Sequence, residues 1–201
     1  MTTQLLAPPT TNLLTADEFL EFVHRSENRN RRFELDRGRI DEMPRPGIRH
    51  GVVCANVSRV LGNFTFARGR GIVVSNDAGL IVEHDPDTVF GPDLFLFDEN
   101  INYADLPAHW EDRPPTLVVE VLSPNDRTTK LNRRIGRFLA MGVPLVWVLD
   151  PEESTLTVHQ AHRPLVVLEA SDEVTGLEFV PDLKLRVGDF FATPGALQSS
   201  T

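Results

Sequence analysis

One segment constrains the fold more than any other: the run TLVVEVLSP at residues 116–124, which places Glu120 inside an otherwise apolar stretch. Side chains alternate along a β-strand, so this run carries apolar residues on both faces with Glu120 as the exception. The pattern predicts a central strand over residues 116–122, covered on both sides of its sheet. An unpaired carboxylate there costs several kcal/mol or takes up a proton. Glu120 therefore needs a partner from elsewhere in the chain.

The segments around Glu120 predict a βαβ unit. Residues 130–141 have the apolar spacing of a helix, and the apolar run at 144–150 follows as a second strand. Two strands joined through a helix by short connections are expected to be parallel, with a right-handed crossover. Upstream, residues 32–43 predict a hairpin that turns near Gly38, and residues 50–67 predict a long amphipathic helix. The remaining predicted elements are a helix at 15–24 that begins with a capping box, and strands at 72–74, 78–82, 93–97, 155–159 and 164–168.

Length and composition predict a single α/β domain. With 201 residues the chain is long enough for one sizeable core, which we place at residues 13–191, with flexible tails at 1–12 and 192–201. No run reaches the roughly 18 apolar residues of a membrane helix, so no membrane partner is expected. The N-terminal segment lacks the basic start of a signal peptide, and the one cysteine, Cys54, excludes an internal disulfide. We therefore expect a cytoplasmic protein in which Cys54 is a packing residue.

The charge distribution gives two opposing indications. Twenty basic and twenty-nine acidic residues give a net charge of −9, which argues against non-specific nucleic-acid binding by most of the surface. The positive charge is nevertheless concentrated, with four arginines between Arg25 and Arg32 and five basic residues between Arg127 and Arg137. Local basic patches attract a polyanion even on an acidic protein. These two segments are therefore the candidate contact surfaces.

Asp93 is the second acid of a candidate metal site. It begins the predicted strand GPDLFLF, and a neighbouring position in the sheet would bring it close to Glu120. Mg²⁺ prefers oxygen ligands, commonly one or two carboxylates with water and substrate phosphate, and the backbone carbonyl of Val121 would add a third protein oxygen. Two simpler interpretations stay open. Glu120 is also explained by a buried ion pair with an arginine such as Arg134, and Asp93 by the turn after a proline.

Five motifs occur in an order that resembles a known nuclease family. They are FELDRGRIDEMP with Glu34, the helix opened by His50-Gly51, GPDLFLF, TLVVEVLSPND and MGVPLVWVLDP. Together they resemble the Uma-type family of restriction endonucleases, in the PD-(D/E)xK nuclease superfamily, over residues 13–191. The resemblance implies a restriction-endonuclease-like mixed β-sheet flanked by helices, and Mg²⁺-dependent hydrolysis of phosphodiesters.

The same resemblance assigns roles to four residues. Asp93 and Glu120 would bind the metal, with Glu34 and His50 as supporting site residues. Two of these assignments compete with simpler ones. Glu34 also fits a solvated ion pair on the hairpin, and His50 also fits an ordinary position in the first turn of a helix.

The sequence departs from the nuclease signature at its third position, where Leu122 replaces the usual lysine. The resemblance implies that in this branch the lysine lies in the following helix, at a position that holds Arg134 here. At 100° per residue Arg134 shares a stripe with Arg127, Lys130 and Arg137, and it lies nearer the apolar border than Lys130. Arginine stabilises developing negative charge, but unlike lysine it does not give up a proton.

These observations predict an endonuclease that hydrolyses DNA phosphodiester bonds with Mg²⁺ or Mn²⁺. Arg134, or alternatively Lys130, would orient the attacking water or stabilise the transition state, and Arg127, Lys130 and Arg137 would contact phosphates. The basic stripe is equally typical of a solvated helix face. Two alternatives remain: a catalytically weakened member that acts as a binding or interaction module, and a non-nuclease hydrolase that uses the same metal site. The sequence leaves open whether the protein forms a homodimer.

Overall fold

The computed structural model describes residues 13–124 and 128–195. Its helices are α1 (Ala16–Val23), α2 (Ile48–Arg68) and α3 (Thr128–Met141). Its strands are β1 (Arg32–Asp36), β2 (Arg39–Met43), β3 (Ile72–Ser75), β4 (Leu80–Glu83), β5 (Thr88–Phe90), β6 (Leu94–Phe97), β7 (Leu117–Val121), β8 (Leu145–Asp150), β9 (Thr155–His159), β10 (Val166–Leu168), β11 (Glu173–Leu177) and β12 (Val180–Arg186). Short 3-10 helices lie at Ser26–Asn28, Tyr103–Asp105 and Val187–Phe190.

A six-stranded sheet in the order β10-β9-β8-β7-β6-β3 forms the centre of the molecule. The β7 and β8 strands are parallel and α3 connects them, whereas the other neighbouring strands pair antiparallel. All five residues of β7 are buried, as are the first five of β8. The predicted central strand and the parallel arrangement of the βαβ unit are both confirmed.

The two faces of this sheet are covered by different helices. On one face, Val57 and Leu61 of α2 pack with Leu117 and Trp147 in a single apolar cluster. On the other face, Phe138 of α3 joins Val118 and Val146 of the same two strands. Because side chains alternate along β7, Glu120 lies on the same face as Val118, which is the face that α3 covers. Because Glu120 lies on this face, an arginine of α3 can reach it.

A second sheet, in the order β2-β1-β5-β4, lies beside the first. The predicted hairpin is confirmed, with Asp36 opposite Arg39 across a two-residue turn. Arg37 and Gly38 both have positive φ, as the tight hairpin turn requires, and a Cβ on Gly38 would lie 2.5 Å from that of Leu13. The helix α1 begins with the predicted capping box and packs Phe19 onto this sheet.

The C-terminal part of the described chain contains a hairpin that the sequence did not predict, β11 paired with β12. Much of it is exposed, so it lacks the long apolar run by which a buried strand is recognised. The 3-10 helix Val187–Phe190 follows and is held against α2, because the Asn56 amide donates hydrogen bonds to the Phe190 and Ala192 carbonyls.

Several predictions fall partly or wholly outside the described residues. The two predicted tails include residues 1–12 and 196–201, which are outside, and the division into one domain with two tails stays a prediction. Within residues 13–124 and 128–195, no helix is both long and apolar enough to cross a membrane. The cytoplasmic location also stays a prediction.

Candidate functional site

Asp93 meets the end of β7 because β6 and β7 are antiparallel. Leu94 pairs with Val119, so the residue before β6 lies next to the last residues of β7. The Val121 backbone N–H donates a hydrogen bond of 2.7 Å to Asp93 Oδ2. The two strands are neighbours as expected, and Asp93 lies directly before β6 rather than within it. A role for the Val121 carbonyl as a metal ligand stays a prediction.

The other oxygen of Asp93 contacts His50 in the first turn of α2. His50 Nε2 lies 3.1 Å from Asp93 Oδ1, and only about a tenth of each side chain is exposed (10%/10%). Burial opposes a charged imidazole ring, but the hydrogen bond and the charge of Asp93 outweigh it and raise the pKa of His50 above its ordinary value. His50 thus occupies the helix start that the simpler interpretation expected, and it also touches the candidate ligand Asp93.

Cys54 completes a group of three ligand-bearing side chains. It lies one helical turn after His50, with its Sγ 3.5 Å from His50 Nδ1. One ligand atom from each of His50, Cys54 and Asp93 lies within 4.8 Å of the other two. Cys54 also packs against the core as predicted, but that prediction missed its contact with His50. Burial and the nearby charges of Asp93, Asp77 and Glu120 raise the pKa of the Cys54 thiol well above its ordinary range.

This group lies in the wall of an open cleft with a volume of about 320 Å³. Arg32 and Asp77 form an ion pair of 2.5 Å in the same wall. The rest of the lining consists of small or polar residues before and along the first half of α2 and at the end of β3. The cleft therefore gives a ligand in solution access to Asp93.

Glu120 itself belongs to a buried ion network centred on Arg134. Arg134 Nε donates to Glu120 Oε1 at 2.6 Å, and Nη1 donates to both oxygens of Glu34 at 2.7 and 2.8 Å. Nη2 donates to the Gly91 carbonyl at 3.0 Å. The guanidinium also lies over the rings of Phe90 and Phe138, at 4.5 and 5.4 Å. The buried ion pair between Glu120 and Arg134, which was one of the two open interpretations, is present.

Glu34 and Gly91 complete this network. Glu34 is buried in β1 rather than solvated on the hairpin surface, and it accepts a hydrogen bond of 2.9 Å from the Gly91 N–H. Gly91 thus donates to Glu34 and accepts from Arg134, so it holds two charged residues through its backbone alone. A Cβ at Gly91 would lie 2.8 Å from the Asp77 carbonyl. Sequence reasoning missed this residue, although the dipeptide Gly91-Pro92 marks a tight turn directly before Asp93.

The acids of the site outnumber the cations that contact them. Burial raises the pKa of Glu120 to about 8, the charges of Asp93 and Glu34 add to this effect, and Arg134 opposes it. A carboxyl group with an arginine 2.6 Å away ordinarily has a lowered pKa. Burial is the largest cause of the raised pKa, and the single guanidinium of Arg134 does not offset it together with the charges of Asp93 and Glu34. A further positive charge would stabilise the ionised form of Glu120.

The other basic residues of α3 are paired with acids from the second sheet. Lys130 Nζ lies 3.2 Å from Asp41, and Arg137 Nη1 lies 2.5 Å from Asp36. Arg127 lies outside the described residues, so the phosphate-contact role predicted for Arg127, Lys130 and Arg137 stays a prediction. Leu122, at the third signature position, donates its N–H to the Leu149 carbonyl and packs on the α3 face of the sheet.

Comparison with known proteins connects this geometry to a family. The family Uma2, described as "Putative restriction endonuclease", matches residues 16–188. The chain belongs to this family. The family resemblance expected from the sequence motifs is therefore confirmed. It covers β1 through β12, and with them the buried ion network and the residues of the cleft.

A solved structure shows the fold to which the chain is similar. It is the crystal structure of a protein from Anabaena variabilis described as a "putative nuclease belonging to DUF820". The TM-score is 0.73 at 23% identity, and the match covers 89% of this chain and 97% of that chain. The predicted restriction-endonuclease-like mixed sheet flanked by helices is confirmed. No curated protein matches the sequence.

Proposed function

We propose that this protein is a metal-dependent endonuclease that hydrolyses DNA phosphodiester bonds. The observation that carries the proposal is the position of Asp93 beside the end of β7, where it accepts a hydrogen bond from the backbone N–H next to Glu120 and where carboxylates outnumber cations. The Uma2 family membership supports phosphodiester hydrolysis as the chemistry. DNA as the substrate and Mg²⁺ or Mn²⁺ as the cofactor are inferences from the nuclease family and from the oxygen donors.

The donor set fits a hard divalent cation. Asp93 and Glu120 offer carboxylate oxygens, which Mg²⁺ and Mn²⁺ prefer; Glu120 lies in β7 and Asp93 directly before β6. Burial, with the charges of Asp93 and Glu34, raises the pKa of Glu120, and a bound divalent ion would favour its ionised form. Asp93 and Glu120 are therefore the residues that would bind the ion. When bound, the ion supplies a water of lowered pKa and neutralises developing charge on the phosphate.

The protein groups around these two acids have positioning roles. Arg134 holds Glu120 and Glu34 in one orientation, since its three kinds of N–H donor are each committed to a fixed partner. The Val121 N–H and the His50 ring hold the two oxygens of Asp93. In this arrangement Arg134 acts on the reaction through Glu120. A direct contact between Arg134 and the phosphate would require it to release one of these partners.

The cleft beside Asp93 suggests where a phosphate backbone would approach. Arg45 precedes Pro46 and Arg59 follows Ser58, and both Pro46 and Ser58 line the cleft. Both arginines are exposed, and neither has an ion-pair partner within the part of the chain that the structure describes. Free guanidinium groups of this kind are suited to phosphate contacts. We propose that Arg45 and Arg59 are DNA-backbone contacts.

A cleavage assay on supercoiled and single-stranded DNA tests the proposed function. Wild-type protein should cleave in Mg²⁺ or Mn²⁺ and stop when a chelator removes the ion. Glu120→Gln should lower the rate by about a hundredfold or more, the usual loss when one preorganised charged group is removed. Glu111→Gln is the matched control, because Glu111 is also a buried glutamate paired with an arginine but does not line the cleft. Equal cleavage by the Glu120 and Glu111 variants would refute the assignment.

A second candidate function is a catalytically weakened nuclease fold that binds a nucleic acid or a protein. The observation that favours it is the complete engagement of Arg134, which stands where the family resemblance expects a lysine. Arginine stays protonated in proteins, so Arg134 does not act as a general acid or base as a lysine can. DNA binding without metal-dependent cleavage under any of the conditions above would establish this alternative.

A further inference from the structure

The geometry of His50 and Cys54 is that of two metal ligands on one helix. They are four residues apart in α2, so their side chains lie on the same face one turn apart, and the two nearest ligand atoms are 3.5 Å apart. Two ligands at this spacing on a rigid helix are a common basis of transition-metal sites. Asp93 supplies a third ligand from another element, with its atom within 4.8 Å of the other two.

This donor set differs chemically from the pair of carboxylates in the proposed nuclease site. Mg²⁺ and Ca²⁺ bind oxygen and avoid thiolate, whereas a nitrogen, a sulfur and an oxygen together favour Zn²⁺ and its close relatives. The three residues also line the open cleft. Three protein ligands with one side open to solvent is the arrangement of a zinc site that keeps a position for water or another ligand.

We propose that His50, Cys54 and Asp93 form a binding site for a divalent transition metal that takes a thiolate ligand. Zn²⁺ is the ion whose chemistry fits best. Asp93 belongs both to this site and to the proposed Mg²⁺ site. A Zn²⁺ ion held by Cys54 and His50 therefore withdraws Asp93 from Mg²⁺. The inference makes the metal ion itself a regulator of the cleft, and this regulatory consequence rests on the proposed function.

The charges around the three ligands support a bound cation. Asp77 lines the same cleft, and Glu120 is close enough for its charge to act on the Cys54 thiol. Among the cations, Arg32 is paired with Asp77, and Arg134 is committed to Glu120 and Glu34. A divalent ion at Cys54 would compensate this excess of acid, and it would replace the proton of the thiol.

Cobalt absorption spectroscopy tests the site directly, because Co²⁺ takes the place of Zn²⁺ and a cobalt–thiolate bond gives a charge-transfer band in the near ultraviolet. Cys54 is the one cysteine of the chain, so the band reports this side chain alone. Untagged wild-type protein should develop the band with one equivalent of Co²⁺ and lose it when Zn²⁺ is added. Absence of the band in wild-type protein would overturn the inference.

Three variants make the test specific. Cys54→Ser changes one atom and should abolish the band, while His50→Gln should weaken Co²⁺ binding by at least about tenfold, as loss of one metal ligand or its support commonly does. His109→Gln is the matched control, because His109 is an exposed histidine outside the cleft. A thermal melt of each variant verifies folding. Co²⁺ affinity that is unchanged in His50→Gln and equal to that of the control would also overturn the site.

The regulatory consequence has its own measurement. Zn²⁺ should inhibit Mg²⁺-dependent cleavage by wild-type protein, and Cys54→Ser should need at least about tenfold more Zn²⁺ for the same inhibition. Equal sensitivity of the two proteins would overturn the regulation. Glu120→Gln separates the two proposals, because it should keep the cobalt band while losing cleavage. If no protein cleaves DNA, the proposed function fails, and the cobalt band still decides the metal site.

Discussion

The buried ion network and the open cleft meet at the same end of β7 but are built in opposite ways. In the network, all three nitrogens of the Arg134 guanidinium have fixed partners, and the group lies over two aromatic rings. In the cleft, His50, Cys54 and Asp93 lie in a wall that faces about 320 Å³ of accessible space. The charged groups of the network bind one another, whereas the three ligand-bearing side chains of the cleft border open space.

This difference indicates a division of labour between adjacent acids. Glu120 is held by Arg134, so its position is set before any substrate arrives. Asp93 is held by one backbone N–H and by a histidine, and it stays accessible from the cleft. A buried network of this kind contributes geometry, and breaking it by removing one partner is costly. An open site exchanges ions and ligands, and changes there should affect binding more than folding.

The largest expected effect comes from removing Arg134. Arg134→Ala leaves Glu120 and Glu34 buried without their cation, so the free energy of unfolding should fall by about 3–5 kcal/mol. Arg163→Ala is the control, because Arg163 pairs with Glu178 and both side chains are more than half exposed, so its loss should cost about 1 kcal/mol or less. Chemical denaturation of both variants measures the difference. Similar losses of unfolding free energy in the two variants would show that the Arg134 network does not hold the site rigidly.

Replacing Arg134 by lysine tests whether this residue also serves catalysis. Arg134→Lys keeps the charge at the position where the family resemblance expects lysine, so it should keep or raise metal-dependent cleavage. Arg134→Ala should lower cleavage by about a hundredfold or more. Lys130→Ala should change it much less, because Lys130 is half exposed and paired with Asp41. Cleavage rates at temperatures where each variant is folded separate catalysis from stability.

Removing Asp93 should act on metal binding rather than on folding. In wild-type protein, Mg²⁺ or Mn²⁺ at about 100 times its dissociation constant should stabilise the fold by about 3 kcal/mol. Asp93→Asn should remove most of that increment, because it deletes the acid that faces the cleft. Asp77→Asn is a useful comparison, since Asp77 lines the cleft but already pairs with Arg32. Identical metal-induced melting shifts in wild-type and Asp93→Asn protein would contradict the pairing of Asp93 with Glu120.

The pH dependence of metal binding should show whether Glu120, in the buried ion network, is the group that titrates. The pKa of Glu120 in the folded protein is about 8, above its ordinary 4.5. In the metal-free protein the contribution of this group to the free energy of unfolding is therefore full below pH 4.5, and it is lost as the pH rises through 8. Metal binding needs the ionised form, so the affinity should rise by up to about tenfold per pH unit until about pH 8. Metal titrations from pH 6 to 9 measure this slope, and Glu120→Gln should flatten it.

The smallest expected effect concerns the DNA backbone. Arg45→Ala with Arg59→Ala should weaken DNA binding equally across sequences and lower the slope of log K against log salt by about 0.9 for each lost phosphate contact. Lys130→Ala with Arg137→Ala should lower it less, because Asp41 and Asp36 already neutralise these two cations. Salt titrations of binding compare the two double variants. A larger effect at Lys130 and Arg137 would restore the contact surface predicted from the sequence.

The parts of this molecule that follow from the sequence are those with a local physical cause. Residues 117–121 are apolar on both faces, so they form a buried central strand, and their alternation puts Glu120 on the side of α3. The capping box at Thr15 begins α1, and the turn at Gly38 makes the hairpin, because both depend on neighbouring residues alone. The short strand β5 and the exposed hairpin β11–β12 were missed, since neither carries a distinct apolar pattern.

The pairing of side chains across the site depended on the tertiary structure. Sequence motifs identified Asp93, Glu120 and Arg134 as candidates, yet they left open whether Arg134 faces a phosphate or the carboxylate of Glu120. Packing of α3 against β7 decided for the carboxylate, and the burial of β1 added Glu34 to the same guanidinium. Cys54 and His50 share one face of α2, and Asp93 joined them only when α2 met the start of β6. Such contacts join residues distant in the chain, and local sequence patterns carry no information about which distant side chains meet.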